Sequence, residues 1–194
     1  VIQSVTVYCS SRQNLDDVYY RAGAELGRAI ASNGWKLVYG GNDLGLMKVV
    51  ADAARAAGGK VIGITPQLFV DAGCDDKNCE ELIVTPCMRQ RKELLEARGD
   101  ALMALPGGLG TFEELFEVLA AKSLGLHHKP IVLLNTEGYF DPLLQMIEHG
   151  IERRFISART RSLFSAAATV EQAIEQILHG DSTAAASKVP SGIK

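Results

Sequence analysis

Ala101-Leu102-Met103-Ala104-Leu105-Pro106-Gly107-Gly108-Leu109-Gly110-Thr111-Phe112-Glu113-Glu114-Leu115-Phe116 is the stretch whose reading decides the fold. The near-uniform apolar run from Ala101 to Leu105 suits a parallel strand covered on both faces. Pro106 ends that strand, and the glycines beyond it allow backbone angles and close approaches that a Cβ forbids. From Thr111 onward, Phe112, Leu115, Phe116 and Leu119 recur at the spacing of one helix face. A strand, a glycine turn and a helix start in this order gather unpaired N–H groups and the positive end of a helix dipole. That is the physical recipe for holding a phosphate or another anion.

Working outward, the same alternation repeats along the chain. Strands are expected at Val5–Cys9, Lys36–Tyr39, Val61–Ile64, Glu81–Val84 and Lys129–Leu134, with a further short one at Ser162–Ser165. Helical spacing appears from Leu15 to Ser32, with Asn14 and Asp17 as a capping pair, and from Leu46 to Ala57. Thr85-Pro86 reads as a cap and first helical residue for a helix running to Arg98. Further helices are expected at Thr111–Leu124, Tyr139–His149 and Thr169–Leu178, the last capped by Thr169. Thr65 to Glu80, with Pro66, Gly73 and several acidic residues, reads as a long surface loop. Residues 181–194, rich in alanine and serine, are expected to be a disordered tail after a single domain over 1–180. The predicted class is α/β: a Rossmann-like, doubly wound, mostly parallel sheet with helices on both faces. Its ligands belong outside the carboxyl ends of the strands, where the loops at Ser10, Gly40 and Gly107 meet.

Composition narrows the function classes. The 194 residues carry a formal net charge of −3, which gives no argument for a basic surface that would follow a nucleic-acid backbone. No apolar run approaches the roughly 20 residues of a membrane span, and the N-terminus opens in a strand pattern with no secretory leader, which makes the cytoplasm the expected location. Cys9, Cys74, Cys79 and Cys87 lack zinc or redox spacing and read as free thiols, with a Cys74–Cys79 disulfide the one alternative. His127, His128, His149 and His179 show no metal spacing. Gly40-Gly41-Asn42-Asp43-Leu44-Gly45 resembles a dinucleotide fingerprint only loosely, and no Walker lysine and serine are present, which argues against nicotinamide and ATP.

Two side chains stand out chemically. On a helix from Pro86, Cys87, Met88, Leu94 and Leu95 form the apolar stripe and Arg91 projects into its middle, while Arg89, Gln90 and Lys92 point elsewhere. An arginine aimed at the packed side needs a partner: an internal carboxylate such as Asp100, or an anion in a pocket. Glu114 reads in two ways as well. With Thr111 as N-cap it completes a capping box, and it also sits where a carboxylate reaches a ligand held by the glycine turn. Thr111 is a cap in the first reading and a hydroxyl donor to phosphate in the second. Ser10 and Ser11 form a polar turn whose hydroxyls suit a base, sugar or phosphate.

Pro106-Gly107-Gly108-Leu109-Gly110-Thr111-Phe112-Glu113-Glu114, preceded by Met88-Arg89-Gln90-Arg91-Lys92, closely resembles the paired signatures of the Lonely Guy family of cytokinin riboside 5′-monophosphate phosphoribohydrolases, long mislabelled as lysine decarboxylases. The likeness spans about Val5 to Leu178 and includes Val7-Tyr8-Cys9-Ser10-Ser11, Tyr39-Gly40-Gly41 through Met47, and Gly138-Tyr139-Phe140-Asp141. It implies Arg91 and Glu114 as the catalytic pair, and Gly107, Gly108, Gly110 and Thr111 as the phosphate-binding turn. Ser10, Ser11, Gly41, Met88 and Lys92 join the substrate-binding set.

The resemblance also implies a homodimer, no cofactor or metal, and hydrolysis of an N6-modified adenosine 5′-monophosphate, or of AMP, to free base and ribose 5-phosphate. The chain departs from the family pattern at Asn42 and Lys48, where glycines are usual, at Arg89, where histidine is usual, and at Ala120-Ala121-Lys122, which lacks a common tryptophan. The rival classes are a non-catalytic carrier of a nucleotide or phosphorylated cofactor, an enzyme of another class such as a decarboxylase, and a structural module with no ligand, which would leave the glycine-rich edge and the inward-facing Arg91 without a shared reason.

Overall fold

Each strand sends alternate residues to opposite faces, and in the central strands both sets are buried, so these strands are covered twice. The computed structural model describes residues 1–184. In chain order the elements are β1 (Ser4–Tyr8), α1 (Asp17–Ser32), β2 (Lys36–Tyr39), α2 (Gly45–Ala56), β3 (Val61–Pro66), α3 (Gln67–Asp71), β4 (Glu81–Thr85), α4 (Met88–Arg98), β5 (Ala101–Ala104), α5 (Leu109–Ser123), β6 (Ile131–Leu134), α6 (Asp141–Glu152), β7 (Ser165–Ala167) and α7 (Val170–Ala184). Short 3₁₀ turns at Thr136–Gly138 and Ala158–Ser162 flank α6. The seven strands form one sheet in the order β4-β3-β2-β1-β5-β6-β7, and every pair is parallel.

Strand order reverses between β1 and β5, which are in register from Val5 opposite Ala101 to Tyr8 opposite Ala104. Crossovers that run in opposite directions from that point put helices on both faces. One core layer joins Val5, Val7, Leu37, Met103 and Leu134 to Leu26 and Ile30 of α1, Val50 of α2 and Ile177 of α7. The other joins Tyr8, Val38, Ile64, Leu102 and Leu133 to Leu95 of α4 and Leu115, Val118 and Leu119 of α5, with Leu143 and Leu144 of α6 packed against it. The doubly wound parallel architecture expected from the sequence is the one present.

Local expectations fail where tertiary contacts decide. The segment read as a surface loop from Thr65 to Glu80 opens with the end of β3 and the short α3; beyond Pro66 it is largely exposed, as a surface segment should be, but it carries one fully buried side chain, Asp76. Helix α1 is preceded by Asp16 without a side-chain cap, and Asn14 adopts a φ of 60°, so the Asn14–Asp17 capping pair is absent. Cys87, not Thr85, precedes α4, which leaves Pro86 outside the helix. The last strand lies at Ser165–Ala167, three residues later than expected, because Ala158–Ser162 winds as a 3₁₀ turn. Thr169 does cap α7, its hydroxyl accepting from the N–H of Gln172 at 3.3 Å. That helix runs to Ala184, past the Gly180 boundary, and the remainder of the expected tail lies outside the described residues. All four cysteines are free thiols. Among the described residues no helix is long and apolar enough to cross a membrane.

Candidate active site

The carboxyl ends of β1 and β5 flank the reversal point, and the chain leaves them through Ser10-Ser11 and through the glycine turn. Helix α5 begins at Leu109 with Gly108 as its N-cap. Its first internal bond runs from the N–H of Phe112 to the carbonyl of Gly108 at 3.0 Å, so the N–H groups of Leu109, Gly110 and Thr111 precede the helical ladder. Thr111 is therefore the third helical residue and Glu114 lies in the second turn. The capping-box reading is thereby excluded: neither side chain caps the helix. Thr111 instead packs on Gly107, where a Cβ would collide with its hydroxyl oxygen. One turn further on, Glu114 shares that buried face.

Arg91 answers Glu114 from α4. The guanidinium is 3% exposed and the carboxylate 5%. Arg91 Nη1 donates to Glu114 Oε1 at 2.9 Å, Nε to the carbonyl of Ile64 at 3.0 Å, and Nη2 to the carbonyl of Gly40 at 3.3 Å. Gly40 is small for a reason, since a Cβ there would meet Arg91 Nη2. Asp100, the alternative partner considered from sequence, instead accepts from the N–H groups of Gln3 and Ser4 at 2.8 and 3.0 Å. Burial pushes the Glu114 carboxyl above its ordinary range, against the charge and hydrogen bond of Arg91, which pull it down. A carboxylate poised in this way, with a guanidinium fixed beside it, suits the stabilisation of developing positive charge or the activation of water.

Other predicted residues take different places. Ser10 is buried, its hydroxyl accepting from the N–H of Arg12 at 3.0 Å, and its carbonyl accepts from the N–H of Met47 in the first turn of α2 at 3.2 Å. Ser11 is exposed beside it. Gly41 turns the chain after β2. Lys92 is not gathered with Arg91: its ammonium is bound to Glu113 at 2.8 Å and Glu117 at 3.0 Å, tying α4 to α5 on the outer side. Met88 and Cys87, expected in a buried stripe, are exposed, and the buried residues of α4 are Arg91 and Leu95. Phe116 is likewise exposed, leaving Leu115 and Leu119 as the buried residues of the expected row on α5.

A family profile described as "Possible lysine decarboxylase" matches residues 47–177. The cytokinin riboside 5′-monophosphate phosphoribohydrolase of Rhodococcoides fascians is 44% identical over 176 residues, spanning 90% of this chain and 89% of that protein. The protein of the same name from Mycobacterium tuberculosis is 41% identical over 154 residues, 79% of this chain and 82% of that one. The chain belongs to the Lonely Guy family. Among solved structures, the Moco carrier protein of Chlamydomonas reinhardtii superposes with a TM-score of 0.71 at 26% identity, over 93% of this chain and 98% of that one. The molybdenum cofactor binding protein of Rippkaea orientalis, at 24% identity over 91% of this chain and 96% of that one, shares the fold with a TM-score of 0.71.

Residues of this Lonely Guy chain that sequence reasoning did not place in the site also converge there. Tyr139 donates its hydroxyl to the Gly107 carbonyl at 2.5 Å, and its ring meets Tyr19 edge-on at a centroid distance of 6.1 Å. The Gly138-Tyr139-Phe140-Asp141 motif was a signal for it, but nothing local says that its hydroxyl reaches the glycine turn. Three buried side-chain oxygens without a hydrogen-bond partner among the described residues are Asn42 Oδ1, Thr65 Oγ1 and Thr136 Oγ1. They lie at or just past the carboxyl ends of β2, β3 and β6, the edge that carries Arg91 and Glu114.

Proposed function

We propose that the chain hydrolyses the N-glycosidic bond of an N6-modified adenosine 5′-monophosphate, and of AMP itself, releasing the free base and ribose 5-phosphate. The observation that carries this reading is the buried Arg91–Glu114 pair standing one helical turn from the open N-terminus of α5. The phosphate docks on the N–H groups of Leu109, Gly110 and Thr111 and the Thr111 hydroxyl, where helix dipole and donors favour an anion. Gly107 and Gly108 let it approach the backbone. Anchored there, the ribose is oriented with its anomeric carbon toward Glu114, so that binding energy from the unreactive end serves the reacting bond. As the bond to the base lengthens, Glu114 stabilises positive charge on the ribose and takes a proton from the attacking water. Arg91 keeps the carboxylate ionised and aimed, and solvent protonates the departing purine. Ser10, Ser11 and Gly41 line the sugar and base side. Met88 borders the site from α4, and Lys92 steadies α5 through Glu113. The curated relatives named as phosphoribohydrolases support the same reaction.

The chain works as a homodimer in this reading. Met88 lies four residues before Lys92, Leu109 four before Glu113 and Phe116 three after it, so helical spacing sets these exposed apolar side chains around the Lys92–Glu113 ion pair. A second copy covering that patch brings the subunit boundary beside the start of α5.

The Moco carrier neighbour favours a second reading, a carrier that holds a phosphorylated ligand on the same cradle without cleaving it. Chromatographic detection of free base and ribose 5-phosphate from the nucleotide separates the two. Release supports the hydrolase, and binding without release supports the carrier.

A further inference from the structure

Behind the second glycine loop, on the side away from Glu114, lies a buried polar cluster that the reaction above does not use. Asp76 is fully buried. Its Oδ2 accepts from the Tyr39 hydroxyl at 2.6 Å and from Arg55 Nη1 at 2.8 Å, and its Oδ1 accepts from the N–H of Asn78 at 2.9 Å. Arg55 Nη2 also donates to Asp52 Oδ1 at 2.6 Å, and Lys48 links Asp52 at 3.4 Å to Asp43 at 2.6 Å. A continuous run of charge thus leads from Asp43 in the loop, along one face of α2, to the last residue of β2. The backbone repeats the attachment. The N–H of Asp76 donates to the Gly41 carbonyl and that of Asp43 to the Cys74 carbonyl, both at 2.9 Å, and Asn42 pairs with Asp75 in an isolated bridge.

Burying the Asp76 carboxylate is costly even against the half-buried Arg55 guanidinium, and an apolar group of the same volume would serve stability as well. What this cluster fixes is position. Tyr39 immediately precedes Gly40, whose carbonyl holds Arg91 Nη2. With Ile64 engaging Nε, the two carbonyls leave the guanidinium one orientation in which Nη1 faces Glu114. We propose that Asp76, acting through Tyr39 and Arg55, is a positioning residue that sets the end of β2 so that the Gly40 carbonyl holds Arg91 in register with Glu114. The inference rests on the reading of Arg91 and Glu114 as the reacting pair. Burial alone would raise the Asp76 carboxyl; the hydrogen bonds from Tyr39, Asn78 and Arg55 more than offset this and hold it below its usual range, so the acceptor is ionised at neutral pH.

The test is Tyr39→Phe, which removes the hydroxyl and leaves the ring filling the core, with Asp76→Asn as companion. Expected for Tyr39→Phe is a kcat for AMP lower by about tenfold with KM within about twofold of wild type. The acid limb of the kcat profile moves to higher pH, because a loosened Arg91 offsets the burial of Glu114 less. The other charged or titratable groups coupled to Glu114 are Lys92 on α4, Glu113 on its own helix, Tyr8 at the end of β1 and Cys9 just beyond it; the substitution changes none of them. Independently of turnover, solvent exchange of the Arg91 Nε–H, followed by NMR, accelerates by about tenfold. Wild-type kcat, acid limb and Arg91 exchange in a folded Tyr39→Phe protein overturn the inference and leave the glycosidic reading intact. A wild-type protein that releases no base overturns the glycosidic reading, and the exchange measurement then still decides whether Tyr39 and Asp76 hold Arg91.

Discussion

Glu114 and Arg91 each make the other's burial tolerable. A carboxylate at 5% exposure costs heavily unless compensated, and Arg91 compensates only in part, so the net direction for Glu114 remains upward. The sign for activity follows. The group acts as a carboxylate, so turnover is lost as pH falls through its raised value, and the acid limb of kcat lies above the ordinary glutamate value of about 4.3. Glu114→Gln keeps an acceptor for Arg91 but neither charge nor base. It is expected to lower kcat by about a hundredfold or more while nucleotide affinity stays within a few-fold, and to lose the acid limb. Steady-state rates from pH 4 to 8 together with calorimetric binding check both; a Gln variant with wild-type turnover would remove Glu114 from the mechanism. At this scale the sequence was legible in part. Arg91 was recognisable as a charge on an inward row, and Glu114 as a carboxylate near a glycine turn. That they face one another, and that Asp100 does not serve, depends on how α4 and α5 pack, which no local spacing encodes. The part played by Asp76, and the reach of the Tyr139 hydroxyl to Gly107, were illegible for the same reason, since the partners lie in other elements.

Among elements, the glycine turn and the start of α5 are the parts whose physics was clearest in advance. An apolar run, Pro106 and three glycines announce a buried strand, a sharp exit and a close approach. The helix nevertheless begins two residues before Thr111, because Gly108 takes the extended N-cap conformation and leaves Thr111 to pack on Gly107. Gly107→Ala therefore forces Thr111 away from the cradle. We expect KM for the monophosphate to rise by about tenfold or more with a smaller effect on kcat, since remote binding is what is damaged. A KM equal to wild type would mean that the phosphate sits elsewhere. Legibility was poorest for α3 and the loop after it. Five residues of helix carry too little periodicity to be seen, and an acidic run looks solvent-exposed until Arg55 and Tyr39 are brought to it by the fold.

At the scale of the whole molecule, the reversal of strand order between β1 and β5 gathers the Ser10, Gly40 and Gly107 loops at one edge. The alternation of strand and helix made that layout readable. Which helix faces stay uncovered was not readable, because burial is settled by neighbours: Met88 and Phe116 looked like core and are each 37% exposed, and Leu109 is 87% exposed. A dimer through this patch predicts that Leu109→Asp together with Phe116→Asp shifts sedimentation from the dimeric to the monomeric species; an unchanged dimer would place the contact on another face. The most direct measurement of the central claim compares a nucleoside 5′-monophosphate with its riboside at equal concentration, scoring free base by chromatography. Phosphate bound at the start of α5 predicts base from the monophosphate and, from the riboside, slower release by about a hundredfold or more. Equal release from both, or none from either, would contradict it.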